Sequence, residues 1–157
     1  DFGNSPREVE GEPAAETLVL TTTNGTRLLV AASERFERVY VGSLLNVDVV
    51  AAAARESGED VAVLCAGVLG ELALDDAYCA GRLADALGGE PQDSARAAIL
   101  LAGSFPNAVE GLGASRSAAN LRRHGLEADV ERCAQENVLD VVPRYVRRVG
   151  PAAEVTL

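Results

Sequence analysis

Thr17-Leu18-Val19-Leu20-Thr21-Thr22-Thr23-Asn24-Gly25-Thr26-Arg27-Leu28-Leu29-Val30-Ala31-Ala32 decides how this chain reads. The apolar run 17–20 reads as a buried strand. The run from Leu28 reads as the opening turns of a helix reaching about Glu34. Between them lie hydroxyls, an amide, a glycine and an arginine. Strand, polar turn and helix form the unit of open α/β sheets, whose ligands sit in the crevice at the carboxyl ends of strands. A helix N-terminus there presents unpaired N–H groups and a partial positive charge, which suits an anion. Thr22, Thr23, Asn24 and Thr26 add polar groups, and Gly25 permits close backbone approach. Arg27 offers a two-pronged fork for phosphate, sulfonate or carboxylate. An N-capped turn with no ligand accounts for the same residues.

Working outward, the alternation continues. Arg38 to Gly42 reads as a second strand and Asn46 to Ser57 as a helix, with Ser43 and Asn46 as caps. Asn46 falls on the same sheet edge as the first turn, within reach of a ligand. Val61 to Ala66 is a continuous apolar run, read as a fully buried third strand. Helices follow over 74–87, 91–101, 115–123 and 129–135, with a Gly/Pro/Asn-bearing break at 103–113. Val138 to Val149 reads as an edge strand because it contains Pro143. Residues 1–16 read as irregular. The pattern predicts one α/β domain over 1–157, a three-layer α/β/α arrangement with a largely parallel or mixed sheet.

The third strand leads into Cys65-Ala66-Gly67-Val68-Leu69-Gly70-Glu71-Leu72-Ala73-Leu74-Asp75-Asp76. A glycine-bearing turn again precedes a helix, which here opens on three carboxylates, Glu71, Asp75 and Asp76. Acids in a first helical turn are favoured by the dipole alone. They also suit Mg²⁺, which takes one or two carboxylates with waters and substrate oxygens. Asp75 and Asp76 point about 100° apart on a helix, so one of them would face such a site. Cys65 at the strand end is a candidate nucleophile, but no histidine adjoins it, and a small inert thiol is the ordinary alternative. His124, the one histidine, ends a helix, where a cation opposes the dipole. A general base there is the competing reading.

Composition narrows the classes. A net charge of −10 excludes a general nucleic-acid or polyanion binder. All 14 basic residues are arginine. With 48% hydrophobic and only 4% aromatic residues, Ala, Val and Leu must build the core. No apolar run approaches the length of a membrane span. Cys65, Cys79 and Cys133 fit neither a disulfide framework nor a zinc pattern, and read as reduced, buried thiols of a cytoplasmic protein. The turns lack the glycine spacings of dinucleotide and P-loop sites.

Several strings together carry a resemblance. Asp1-Phe2-Gly3-Asn4-Ser5-Pro6-Arg7, Thr21 to Arg27, Gly42-Ser43-Leu44-Leu45-Asn46, Cys65-Ala66-Gly67, Leu74-Asp75-Asp76 and Cys79-Ala80-Gly81 occur in order. Gly125, Asp129-Val130, Cys133-Ala134 and Val141-Val142-Pro143 complete the set. The chain resembles the 2-phosphosulfolactate phosphatase family over nearly its whole length. The resemblance implies Mg²⁺-dependent hydrolysis of 2-phospho-3-sulfolactate to sulfolactate and phosphate, a step in coenzyme M synthesis, in a cytoplasmic α/β protein. It also implies further strands upstream, so the chain is expected to be the C-terminal two-thirds of the family pattern. The roles then expected are these. Thr22, Thr23, Asn24, Gly25, Thr26, Arg27, Asn46 and Arg7 hold the phosphate or sulfonate. Glu71, Asp75 and Asp76 hold Mg²⁺ or orient the attacking water. The expected partner is a small anionic phosphate ester, with no nucleic acid and no membrane; a homo-oligomer is left open. A non-catalytic anion-binding relative is the alternative.

Overall fold

The computed structural model describes residues 3–10 and 16–157. The Asp1-Phe2 part of the opening string and residues 11–15 lie outside the described residues.

Helices dominate, in the order α1 (Gly25–Ser33), α2 (Val47–Arg55), α3 (Leu74–Leu87), α4 (Asp93–Gly103), α5 (Ala108–Gly113), α6 (Arg116–Arg123) and α7 (Glu127–Cys133). Strands β1 (Arg144–Val149) and β2 (Ala152–Thr156) form an antiparallel hairpin at the end. Local chemistry sets the boundaries. Ser43 and Asn46 form a capping box ahead of α2, with Ser43 N donating to Asn46 Oδ1 at 2.8 Å. Asn107 caps α5 through Glu110 N, and Ser115 caps α6 through Ala118 N, each at 3.0 Å. The break expected at 103–113 thus holds a short helix, because Asn107 supplies a cap.

The long α3 is the central pillar. It packs on α4, α2 and α5. Leu44, Val47, Val50, Tyr78, Leu83, Leu112 and Val130 build the core. Tyr78 meets Phe105 edge-on with ring centres 6.0 Å apart. Arg82 on α3 grips Glu136 with two hydrogen bonds, at 3.0 and 2.8 Å.

The crossing of α3 and α4 depends on Gly81. A Cβ there would strike the backbone carbonyl of Ala98 and come within 2.9 Å of Ala102 Cβ. Backbone cannot swing aside, so overpacking of about 3 kcal/mol outweighs the ~1 kcal/mol that alanine gains in helix propensity. Gly81→Ala is expected to lower the melting temperature by roughly 4–8 °C. Gly103→Ala, where a Cβ meets nothing within 4 Å, is expected to leave it unchanged or raise it. Equal responses in thermal melts would reject this account of the crossing.

The α/β class holds, but the expected parallel sheet is absent among the described residues. Among the described residues, only β1 and β2 form a sheet. The run 38–42 contributes a single antiparallel bridge to it, with Val41 N donating to Pro143 O at 2.8 Å and Tyr145 N to Val39 O at 2.9 Å. Residues 60–66 make no backbone hydrogen bond among the described residues. Their side chains are not fully buried either: Val61 and Leu64 are 43% and 46% exposed. Leu18, Val19 and Leu20 are exposed too. An apolar run supplies a strand's faces, but a sheet also needs a neighbour for its backbone edges, and the runs 17–20 and 61–66 have no strand neighbour among the described residues. The edge strand expected over 138–149 begins only at Arg144, after the proline. The helices expected at 91–101 and 129–135 are α4 and α7, each shifted by two residues.

Candidate active site

The two loops singled out from sequence meet. Asn24 Oδ1 accepts a hydrogen bond from Leu69 N at 3.3 Å, across 45 positions of sequence. This brings the Thr-rich loop before α1 beside the glycine-bearing turn before α3.

The first loop is internally braced. Thr22 Oγ1 accepts from Thr26 N, and Thr26 Oγ1 donates to Thr22 O, both at 3.0 Å. Thr22 therefore caps α1 from outside it, and Leu28 N donates to Asn24 O at 3.1 Å. Gly25 N and Arg27 N have no acceptor among the described residues. Those two donors at a nine-residue helix start are what an anion would use. Thr23 and Arg27 are exposed beside them. Asn4 Nδ2 donates to Thr21 O at 3.4 Å, so the loop is touched three residues before the exposed Arg7. Ser5 Oγ donates to the buried Asp129 at 2.9 Å and ties this N-terminal segment to α7.

The second loop distributes its carboxylates differently from expectation. Asp76 Oδ2 accepts from Gly67 N at 2.7 Å, so this acid holds the turn. Asp75 Oδ1 is buried and has no hydrogen-bond partner among the described residues. Glu71 is exposed. No group of three or more His, Cys, Asp or Glu among the described residues is arranged to hold a metal ion. Glu71, Asp75 and Asp76 are thus not one ligand set. A buried, unpartnered carboxylate oxygen nevertheless fits a single-carboxylate ligand to a hard cation.

Asn46 and the cysteines differ from expectation, and His124 does not. Asn46 is buried, and its amide is used within the protein: Oδ1 accepts from Ser43 N and Oγ, and Nδ2 donates to Val41 O at 3.4 Å and Val141 O at 3.1 Å. It knots three segments together and has no group left for a ligand. His124 is exposed at the end of α6, the helix-end position read from sequence, its Nδ1 donating to Asn120 O at 2.9 Å, and α6 packs against α5 and α7. The cysteines are free but not all buried: Cys65 and Cys133 are exposed and Cys79 is partly buried. Partial desolvation, then the Asp76 carboxylate, raises the Cys65 thiol above its ordinary range, which opposes a thiolate nucleophile.

An apolar cavity of about 420 Å³ adjoins the loops. Leu28 and Leu29 of α1, Val50 of α2 and Leu83 of α3 line it with the run 61–66. Gly25, Cys65 and Asp76 line it as well, so it reaches both loops. Sequence reading missed the turn's conformation: Leu69 and Gly70 both take positive φ, 54° and 84°. A two-residue gap closing on a glycine was the available signal.

Fold and site define an α/β protein whose anion-suited helix start is joined to an acidic loop. A profile of 2-phosphosulpholactate phosphatases matches residues 1–148, and the chain belongs to that family. It is 44% identical to a probable 2-phosphosulfolactate phosphatase of Thermus thermophilus, over 97% of this chain and 67% of that one. It is 40% identical to the 2-phosphosulfolactate phosphatase of Methanothermobacter thermautotrophicus, over 92% of this chain and 62% of that one. For a probable 2-phosphosulfolactate phosphatase of Deinococcus radiodurans the identity is 38%, over 93% and 63%. The chain therefore spans about two thirds of the length of these relatives. Among the described residues, no helix is long and apolar enough to cross a membrane.

Proposed function

We propose that this chain carries the phosphate-binding and metal-binding loops of a phosphatase that hydrolyses 2-phospho-3-sulfolactate to sulfolactate and phosphate in coenzyme M synthesis, in the cytoplasm. The observation that carries the reading is the Asn24–Leu69 contact, which puts the anion-suited helix start beside the acidic loop. The names of the relatives support the choice of substrate.

In this reading the phosphate sits against Gly25 N and Arg27 N at the positive end of α1. The Thr23 hydroxyl and the Arg27 guanidinium supply further donors, and Arg7, from the segment beside Thr21, adds a second cation for the sulfonate. Asp75 is the residue that would hold Mg²⁺, and Asp76 fixes the turn that leads to it. When bound, the ion supplies polarisation of the phosphoryl oxygens and a lowered pKa for a coordinated water. Glu71, exposed in the second loop, would take a proton from an attacking water. The runs 17–20, 38–42 and 61–66 are strands of a three-layer α/β/α sheet in the same reading. Their exposed apolar side chains and the unpaired backbone of 60–66 support it.

The test is phosphate release from 2-phosphosulfolactate and from 2-phospholactate, with Mg²⁺ and with EDTA. Metal-dependent release of the first and little of the second is expected. Saturable binding without release would instead favour a non-catalytic anion binder.

A further inference from the structure

Val68 and Glu71 exchange two backbone hydrogen bonds, each 3.0 Å. Between them Leu69 and Gly70 both have positive φ. That is the mirror-image two-residue turn whose usual sequence is Asn-Gly. Glycine suits its place, but leucine at φ 54° is strained, and no local group of its own offsets the strain. The residue is 81% exposed, so burial does not hold it there either. The conformation is held from outside. Asn24 Oδ1 accepts from Leu69 N at 3.3 Å, and Asp76 Oδ2 accepts from Gly67 N at 2.7 Å.

We infer that Asn24 is a positioning residue whose side-chain oxygen holds the strained 68–71 turn against the helix start of α1, so that the two loops keep the spacing a phosphate group requires. The inference rests on the reading of these loops given above. It assigns Asn24 to the turn rather than to the ligand, although the residue sits in the threonine-rich loop proposed to hold the anion. A strained left-handed leucine at this place is the kind of backbone outlier that persists where surrounding structure over-determines it.

The experiment has two readouts on the folded chain: amide hydrogen exchange at Leu69, and affinity for inorganic phosphate by titration. Asn24→Ala is expected to speed exchange at Leu69 about tenfold and weaken phosphate about tenfold, the loss of one hydrogen bond at each readout. Adding Leu69→Asn supplies a residue that favours this turn unaided, so the double variant is expected to recover phosphate affinity to within about twofold. A ligand contact by Asn24 could not be restored that way. Weak phosphate binding that stays weak in the double variant therefore overturns the inference. So does unchanged exchange at Leu69, or faster exchange with unchanged phosphate affinity. If Asn24→Ala alone does not fold, the double variant must fold, and its failure also overturns it. A native chain that binds no phosphate removes the reading beneath the inference, a result distinct from each of these.

Discussion

Cys79 is expected to react with iodoacetamide at pH 8 roughly a thousandfold more slowly than an ordinary thiol of pKa near 9, because the thiolate is the nucleophile. Its thiol is pushed up to about 12. Burial is the main cause, and the Asp76 carboxylate, Cys65 and Glu136 add to it. Cys133 is also raised, by partial desolvation first and then Asp129, but the Arg132 guanidinium works the other way and the residue stays exposed to reagent. The expected order of labelling, read by mass spectrometry of peptides, has Cys79 last. Labelling of Cys79 as fast as Cys133 in the folded chain would reject the assignment. A consequence for stability has a fixed sign. The folded state holds the Cys79 proton more tightly than the unfolded state does. The stabilisation is complete below about pH 9 and is lost as pH climbs towards 12. Cys79→Ala should flatten that part of the alkaline melting curve.

The same residue shows where sequence reading succeeds and where it stops. The helix over 74–87 is legible because Leu74, Tyr78, Gly81 and Leu83 recur at helical spacing and Gly88 ends it, and α3 has those bounds. Which cysteines are enclosed is not legible, because enclosure depends on what packs across the gap. Cys79 faces the cavity beneath the run 61–66, while Cys133 ends a short surface helix. Asn46 is the same lesson for a polar side chain. Its position before α2 reads equally well as cap, ligand contact or both. Only the arrival of Val141 from 95 positions away decides that its amide is spent within the protein. The apolar runs were legible as extended and apolar, but pairing is a property of two segments. The run 61–66 shows every strand preference and still has no partner for its backbone among the described residues. Both loops follow apolar runs, but sequence spacing alone does not show that they converge. The physical agent of that convergence, an Asn24 oxygen meeting the amide of a left-handed leucine, has no sequence signature at that separation.

Asp75→Asn is expected to cut metal-dependent phosphate release about a hundredfold or more, while Asp76→Asn leaves most of it. The first half follows from the part proposed for Asp75: loss of its charge at a hard cation removes several kcal/mol of interaction with the reacting phosphate. The second half follows from the hydrogen bond to Gly67 N, since an asparagine oxygen accepts from that amide as a carboxylate does. Asp76→Ala, which deletes the acceptor, should release the turn and reduce activity by a different route. Stability separates the two acids as well. Asp75 Oδ1 is buried without a hydrogen-bond partner among the described residues, an arrangement that costs free energy until a cation meets it. Asp75→Asn is therefore expected to hold or raise the melting temperature of the metal-free chain and to abolish the upward shift that Mg²⁺ gives the native one. Asp76→Asn should keep that shift. A site in which both variants lose activity and the Mg²⁺ shift equally would require both carboxylates on the metal. The Gly67 hydrogen bond would then have to yield when the ion binds. Full activity and an intact shift in Asp75→Asn would remove this loop from the metal altogether and leave the helix start of α1 as an anion site without its cation.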